Sequence, residues 1–212
     1  MNSGGDLRER LITAAERLFA ERGLEAVSLR EINAAAGTRN ASALQYHFGD
    51  RAGLVRAVLA RHDTEVEARR HALLDQYEAD GRPDLHTLVA ALVRPLAAEL
   101  DAEGGVGYLQ VLADVLNRPR PPFSAPEDPD TSTHRWRALV LPMLDPLAVS
   151  HHRRFLAVRF TITELARRPR VSSRTDHALF VSDLIDLVTG LLAAPVSAGT
   201  RAASRARAQG HV

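Results

Sequence analysis

Between positions 39 and 47 the chain sets out Arg39, Asn40, Ser42, Ala43, Gln45, Tyr46 and His47, side chains suited to reading or gripping nucleic acid. Arginine pairs bidentately with guanine, Asn and Gln pair with adenine, and a small residue lets backbone approach a thymine methyl. Ser42, Tyr46 and His47 can instead hold phosphate oxygens, which fix orientation without carrying sequence information. Such groups work together only if one helix presents them side by side, so the flanking elements decide the matter.

Residues 28–48 have the form of two short helices joined by a glycine turn. Ser28 can accept a backbone N–H at a helix start, and Glu31 three residues later completes a capping box, which begins the first helix at Leu29. Leu29, Ile32 and Ala36 share one face, and Gly37 suits the left-handed cap at the exit. A second helix is expected over about 40–47. Ala41, Leu44 and Phe48 would face inward, with Arg39, Asn40, Ser42, Ala43, Gln45 and Tyr46 outward or flanking. Upstream, Leu7, Leu11, Ile12, Ala15, Leu18 and Phe19 repeat at helical spacing and stop at Gly23; downstream, Leu54, Val55, Val58 and Leu59 line a further helix after Asp50. The result is a three-helix head feeding a long helix.

Ala14-Ala15-Glu16-Arg17-Leu18-Phe19, then Ile32-Asn33-Ala34-Ala35-Ala36-Gly37, then Tyr46-His47-Phe48-Gly49-Asp50-Arg51 resemble the N-terminal signature of the TetR family of transcriptional regulators, over about residues 7–60. The chain departs from that pattern by one extra residue between Gly37 and Phe48, and by Gln45 where many members carry a phosphate-binding tyrosine, a role the resemblance passes to Tyr46. Arg51 replaces the usual lysine at the start of the fourth helix and keeps its charge. The DNA-contacting set implied is Ser28, Thr38, Arg39, Asn40, Ser42, Ala43, Gln45, Tyr46, His47 and Arg51.

With 212 residues and 45% apolar content, the chain can supply a small head and one larger helical domain, each with its own core. All 27 basic residues are arginine and the net charge is only +1, so DNA binding must rest on a localised face. There is no cysteine, no basic-then-apolar leader and no apolar run of about 18 residues, which points to a soluble, cytoplasmic chain. The division expected is a disordered stretch over 1–5, a DNA-binding head over 6–49, a helical ligand-binding and dimerisation domain over 50–195, and a disordered Ala-, Ser-, Gly- and Arg-rich tail over 196–212.

Beyond Asp50 the period is helical throughout, giving an all-α fold class. Helices are expected over about 50–78, from Asp84 to about Leu100 with a bend at Pro95, over 106–117, over 136–148 interrupted by Pro142 and Pro146, over 150–168 and over 175–194. Residues 118–130 contain five prolines and read as a surface loop or lid. Phe180, Val181, Leu184, Ile185, Leu187, Val188 and Leu191 form a broad apolar stripe. The TetR resemblance implies that it packs against a second copy in a homodimer, setting two recognition helices about 34 Å apart for a palindromic operator.

Family members usually carry a cavity for an effector in the body, and Tyr108, Gln110, Asn117, His134, Trp136, Thr161 and Thr163 are the polar candidates to line it. The Leu, Val and Ala around them suit a small apolar or amphipathic molecule. Catalysis is not expected. His151 and His152 diverge by about 100° on a helix, His62 and His71 have Arg69 and Arg70 between them, and no nucleophile elbow or phosphate-cradling loop occurs. No cofactor or metal is therefore expected. A helical protein-interaction module would account for the C-terminal stripe but not for the face from Arg39 to His47.

Overall fold

The computed structural model describes residues 3–40, 42–81, 83–120, 129–170 and 176–209, and every regular element among them is helical. The head comprises α1 (Ser3–Arg22), α2 (Leu29–Ala35) and α3 (Ala43–Phe48). α4 (Arg51–Ala79), 29 residues and so about 43 Å long, runs from the head into a body made of α5 (Leu85–Ala97), α6 (Gly105–Asn117), α7 (Ser132–Val140), α8 (Pro146–Ser150), α9 (Arg153–Arg167) and α10 (His177–Ala193), followed by α11 (Ala198–Gln209).

Most boundaries have local causes. Ser28 caps α2 by accepting from the Glu31 N–H at 3.2 Å while the Ser28 N–H donates to the Glu31 carboxylate at 2.8 Å, the reciprocal box expected. Asp50 and Asp84 cap α4 and α5 through the amides of Gly53 (2.6 Å) and Thr87 (2.7 Å). Pro95 lies inside α5, which tightens into a 3-10 turn over Ala98–Leu100. The helix expected over 136–148 is broken into α7, a 3-10 turn over Leu141–Met143, and α8 with Pro146 in its first turn.

The head closes over Leu11, Ile12, Ala15, Phe19, Leu24, Val27, Ile32 and Leu44, with Leu54, Val55 and Val58 of α4 completing its core. In the body, α5 is the central helix: Leu88, Val89, Ala91 and Val93 are sealed between α4, α7, α9 and α10. Trp136 of α7 is fully buried, and its indole N–H donates to the Leu88 carbonyl at 2.8 Å.

Among the described residues, helix reaches into both terminal segments expected to be disordered. Ser3, Gly4 and Gly5 belong to α1, and the tail expected to be loose forms α11. Ala, Arg and Gln favour helix, the Ser197 hydroxyl accepts from the Thr200 amide (3.2 Å), and Arg201 pairs with Asp145 at 2.5 Å to hold α11 on the α8 cap. Of the Pro-rich segment, residues 121–128 lie outside the described residues, as do Ala41 and residues 210–212. No single described helix is long and apolar enough to cross a membrane.

Candidate nucleic-acid interface

α3 starts later than the residue pattern alone suggests. The Thr38 hydroxyl accepts from the Asn40 amide at 3.2 Å, and the Asn40 side-chain oxygen accepts from the Ser42 amide at 3.0 Å. These local turns hold the backbone out of helix until Ala43. Asn40 therefore precedes α3, and Ser42 occupies its cap position without a side-chain cap bond.

Once α3 begins, Leu44 is buried against the head core and Phe48 packs partly against it. Gln45 and Tyr46 turn to solvent, Tyr46 being 84% exposed, and His47 sits at the edge with its ring against Tyr46 at 5.0 Å between centroids. Arg39, Asn40 and Ser42 are exposed beside them, Thr38 is half-buried, and Ser28 is exposed at the start of α2. The surface thus presents a guanidinium, two carboxamides, hydroxyls, a phenol and an imidazole on and just before one short helix.

Two expected contact residues are turned inward. Ala43 is 3% exposed, so it belongs to the core rather than the groove face: starting the helix at residue 43 rotates this position toward α4. Arg51 donates to the Leu24 carbonyl, and its guanidinium lies over the Phe19 ring at 5.2 Å, so these contacts help to close the head. Asn33 is also buried, with its side-chain oxygen unpartnered.

Gly53 fixes how this face is carried. A Cβ there would meet the Phe48 backbone oxygen at well under 3.0 Å and its carbonyl carbon at 3.1 Å, so the end of α3 rests directly on the bare backbone of α4. The capping box draws the Glu31 carboxyl down to about 2, through hydrogen bonds from the Ser28 backbone and hydroxyl and from Arg22.

A buried polar chain joins head to body. Glu16 of α1, 4% exposed, accepts from Arg61 (3.0 Å) and faces His62 Nε2 of α4 (3.2 Å); His62 Nδ1 faces Glu99 at 2.7 Å, and Arg69 donates to Glu99 at 2.9 Å. Asp114 of α6 accepts from the Leu24 amide at 2.7 Å, and Arg118 pairs with Glu25. Deeper in the body, the Tyr108 hydroxyl donates to Asp63 at 2.9 Å, and Arg70 is sealed beside Glu67, Ser132 and Thr133. Burial pushes the Asp63 carboxyl up and the Arg70 guanidinium down. Helical spacing places Glu16 among Ile12, Ala15 and Phe19, and His62 among Val55, Val58, Leu59 and Val66, which is the signal for two inward polar groups that the histidine spacing alone did not yield.

The seven effector candidates do not share one cavity. Tyr108, Trp136 and Thr161 are buried and hydrogen-bonded, the last to the Ala157 carbonyl at 2.9 Å; His134 is exposed. Gln110 lines a cleft of about 760 Å³ between α1, α4 and α6, and with Asn117 and Thr163 it also lines a groove of about 550 Å³ between α1, α6 and α9. Among the described residues no group of three or more acidic, His or Cys side chains is arranged to hold a metal ion.

The expected dimer stripe divides in the same way. Leu184, Ile185 and Val188 are 2%, 3% and 0% exposed, because this face of α10 packs on α5 and α9 of its own chain. Phe180, Val181 and Leu191 are partly buried against that core, and Leu187 is 52% exposed. The exposed large apolar residues of α9 and α10 are Phe155, Leu156, Leu179 and Leu187.

Residues 11–58, the three-helix head and the first turns of α4, match the family model described as bacterial regulatory proteins, tetR family. The match makes the head a tetR-type helix-turn-helix unit. Among solved structures, the chain resembles native NalD, the secondary repressor of the MexAB-OprM multidrug efflux pump in Pseudomonas aeruginosa, at 19% identity and a TM-score of 0.53, over 92% of this chain and 100% of that one. This likeness extends the shared fold through the body. The multidrug binding protein EbrR complexed with imidazole matches at 20% identity and a TM-score of 0.47, over 90% and 91% of the two chains. A gamma-butyrolactone receptor, ArpA-like, matches at 21% and 0.46 over the full length of both. No curated protein matches by sequence.

Proposed function

We propose that this protein is a homodimeric repressor which binds a palindromic operator through α3 and is released by a small amphipathic effector. The observation that carries the DNA-reading part is the exposed set Arg39, Asn40, Gln45 and Tyr46 on or beside a helix whose opposite side is anchored by Leu44 and Phe48. The net charge of +1 leaves no global field to attract DNA, so affinity depends on this face.

Homodimerisation is supported by Leu179 and Leu187, exposed by 61% and 52% on α10, and by Phe155 and Leu156 on the neighbouring α9. A twofold pairing there would carry two heads at the ends of the long α4 helices, each entering a major groove about one helical turn from the other. The cleft of about 760 Å³ at the head–body junction supports the effector reading, since its volume suits a small molecule and its walls mix Thr13, Gln110 and Ala20 with Glu21, Arg17 and Glu103. A molecule seated there touches α1 and α6 together. It would release DNA by favouring a head position unlike the operator-bound one, because a ligand indifferent to both positions shifts nothing.

The test is binding of the purified protein to its own upstream genomic DNA at two salt concentrations, with the double variant Arg39→Ala/Gln45→Ala alongside. The native chain is expected to prefer its operator over random DNA at both salts while its affinity falls with salt. The double variant should keep its helical content and lose the preference. A folded double variant with unchanged preference removes α3 as the reader.

A further inference from the structure

His62 lies between two carboxylates from different parts of the molecule. Its Nε2 faces Glu16 of α1 at 3.2 Å and its Nδ1 faces Glu99, at the end of α5, at 2.7 Å; all three side chains are buried. A neutral imidazole carries one N–H and one lone pair, so it can donate to only one carboxylate and must turn its lone pair on the other. An imidazolium donates to both. With both carboxylates ionised, the two contacts are satisfied together only by the charged ring.

The surroundings support that charge. Tyr108 of α6 stacks on the His62 ring at 5.0 Å between centroids, and its hydroxyl is committed to Asp63, a further acidic group beside the histidine. Arg61 and Arg69 are the opposing cations, but each is itself paired, Arg61 with Glu16 and Glu9 and Arg69 with Glu99 and Glu65. The hydrogen bonds to Glu16 and Glu99 hold the imidazole above its ordinary value of 6.5 against the opposing effect of burial. Gly104 and Gly107 at the start of α6 leave the space Glu16 occupies, since a Cβ on Gly104 would stand 2.5 Å from its carboxylate oxygen and one on Gly107 3.2 Å from its Cγ.

We propose that His62 is a proton-operated latch between the DNA-binding head and the body: as imidazolium it ties Glu16 of α1 to Glu99, and on losing its proton it releases Glu16. The shorter bond, to Glu99, keeps the remaining N–H, so it is the head that is let go. Arg61 still holds Glu16 from the solvent side, and the joint loosens without coming apart. The sign follows from the raised folded value: the stabilisation of the joint is complete below about 6.5 and is lost as pH rises through the higher value of the folded state. The consequence for operator binding rests on the function proposed above, whereas the latch itself is read without DNA.

The test uses the full-length chain labelled at histidine, with ring resonances followed by NMR from pH 5.5 to 9 and amide-exchange protection of α1 measured at the same points, corrected for the intrinsic rate. His62→Gln assigns the resonance. The expected result is a His62 midpoint above 6.5 that falls in Glu16→Gln, with α1 protection dropping about tenfold for each unit by which the midpoint is raised. In His62→Gln that drop should vanish, and if this variant does not fold, Glu16→Gln supplies the comparison. Operator affinity measured over the same range should lose part of its pH dependence in the variant. A His62 midpoint at or below 6.5, or one that Glu16→Gln leaves in place, overturns the latch. A titrating latch in a protein without operator preference would leave the latch standing and refute the repressor reading instead.

Discussion

Gly53→Ala sets helix propensity against tertiary packing with opposite signs. Gly53 lies in the first turns of α4, and replacing glycine by alanine inside a helix ordinarily stabilises it by roughly 0.8–1.0 kcal/mol. Here the new Cβ would stand well under 3.0 Å from the Phe48 carbonyl oxygen and 3.1 Å from its carbon. Both are backbone atoms at the end of α3, so no side-chain rotation relieves the overlap, and α3 must shift relative to α4. Overpacking against unyielding backbone lies at the upper end of the usual range, about 3 kcal/mol, and the propensity gain offsets about 1 of it, leaving about 2 kcal/mol. At roughly 2–4 °C per kcal/mol for a chain of this size, the melting temperature should fall by about 4–8 °C. The displaced helix is the one proposed to read DNA, so operator affinity should drop by about tenfold or more, a factor that 1.4 kcal/mol supplies. Circular dichroism melting and fluorescence anisotropy on operator DNA measure the two effects. A variant that melts at or above the native temperature and binds normally would refute the claim that α3 rests on the bare backbone of α4.

Leu179→Glu/Leu187→Glu should leave the monomer fold intact, because both side chains are more than half exposed, yet shift the protein from dimer to monomer in sedimentation or light scattering. In contrast, Val188→Glu should prevent folding, because that residue is sealed inside the chain. Acid should melt the start of α2 before the rest of the head. The Glu31 carboxyl is held at about 2 against an ordinary 4.5, so its contribution is present above 4.5 and is lost as pH falls toward 2. Amide exchange at Glu31 and Ile32 reports it, and Glu31→Gln should abolish the acid step.

Features whose physics is local were legible in the residues. The Ser28–Glu31 box, the Asp50 and Asp84 caps, the left-handed exits at Gly23 and Gly37 and the breaks at Pro142 and Pro146 each depend on groups a few positions apart, and the structure has them where the spacing places them. The same holds for the inward repeat of Leu11, Ile12, Ala15 and Phe19, and for the outward placement of Arg39, Gln45 and Tyr46. A hydrophobic period identifies a buried face but not the element that covers it. That is why Leu184, Ile185 and Val188 proved to face α5 and α9 of their own chain.

Other features depend on distant partners. Arg51 is drawn inward by a carbonyl 27 positions away, and Ala43 is core because α3 begins after two side-chain turns that compete with helix. Glu16, His62 and Glu99 are separated by 46 and 37 positions, and only the crossing of α1, α4 and the end of α5 makes them one chain of charges. Amino-acid order by itself determined the helices, their caps and the kind of groups offered to DNA, since these follow from interactions within one or two turns. Tertiary structure alone decided which of those groups stay free and which are consumed in holding head to body, since that depends on which surfaces exclude water.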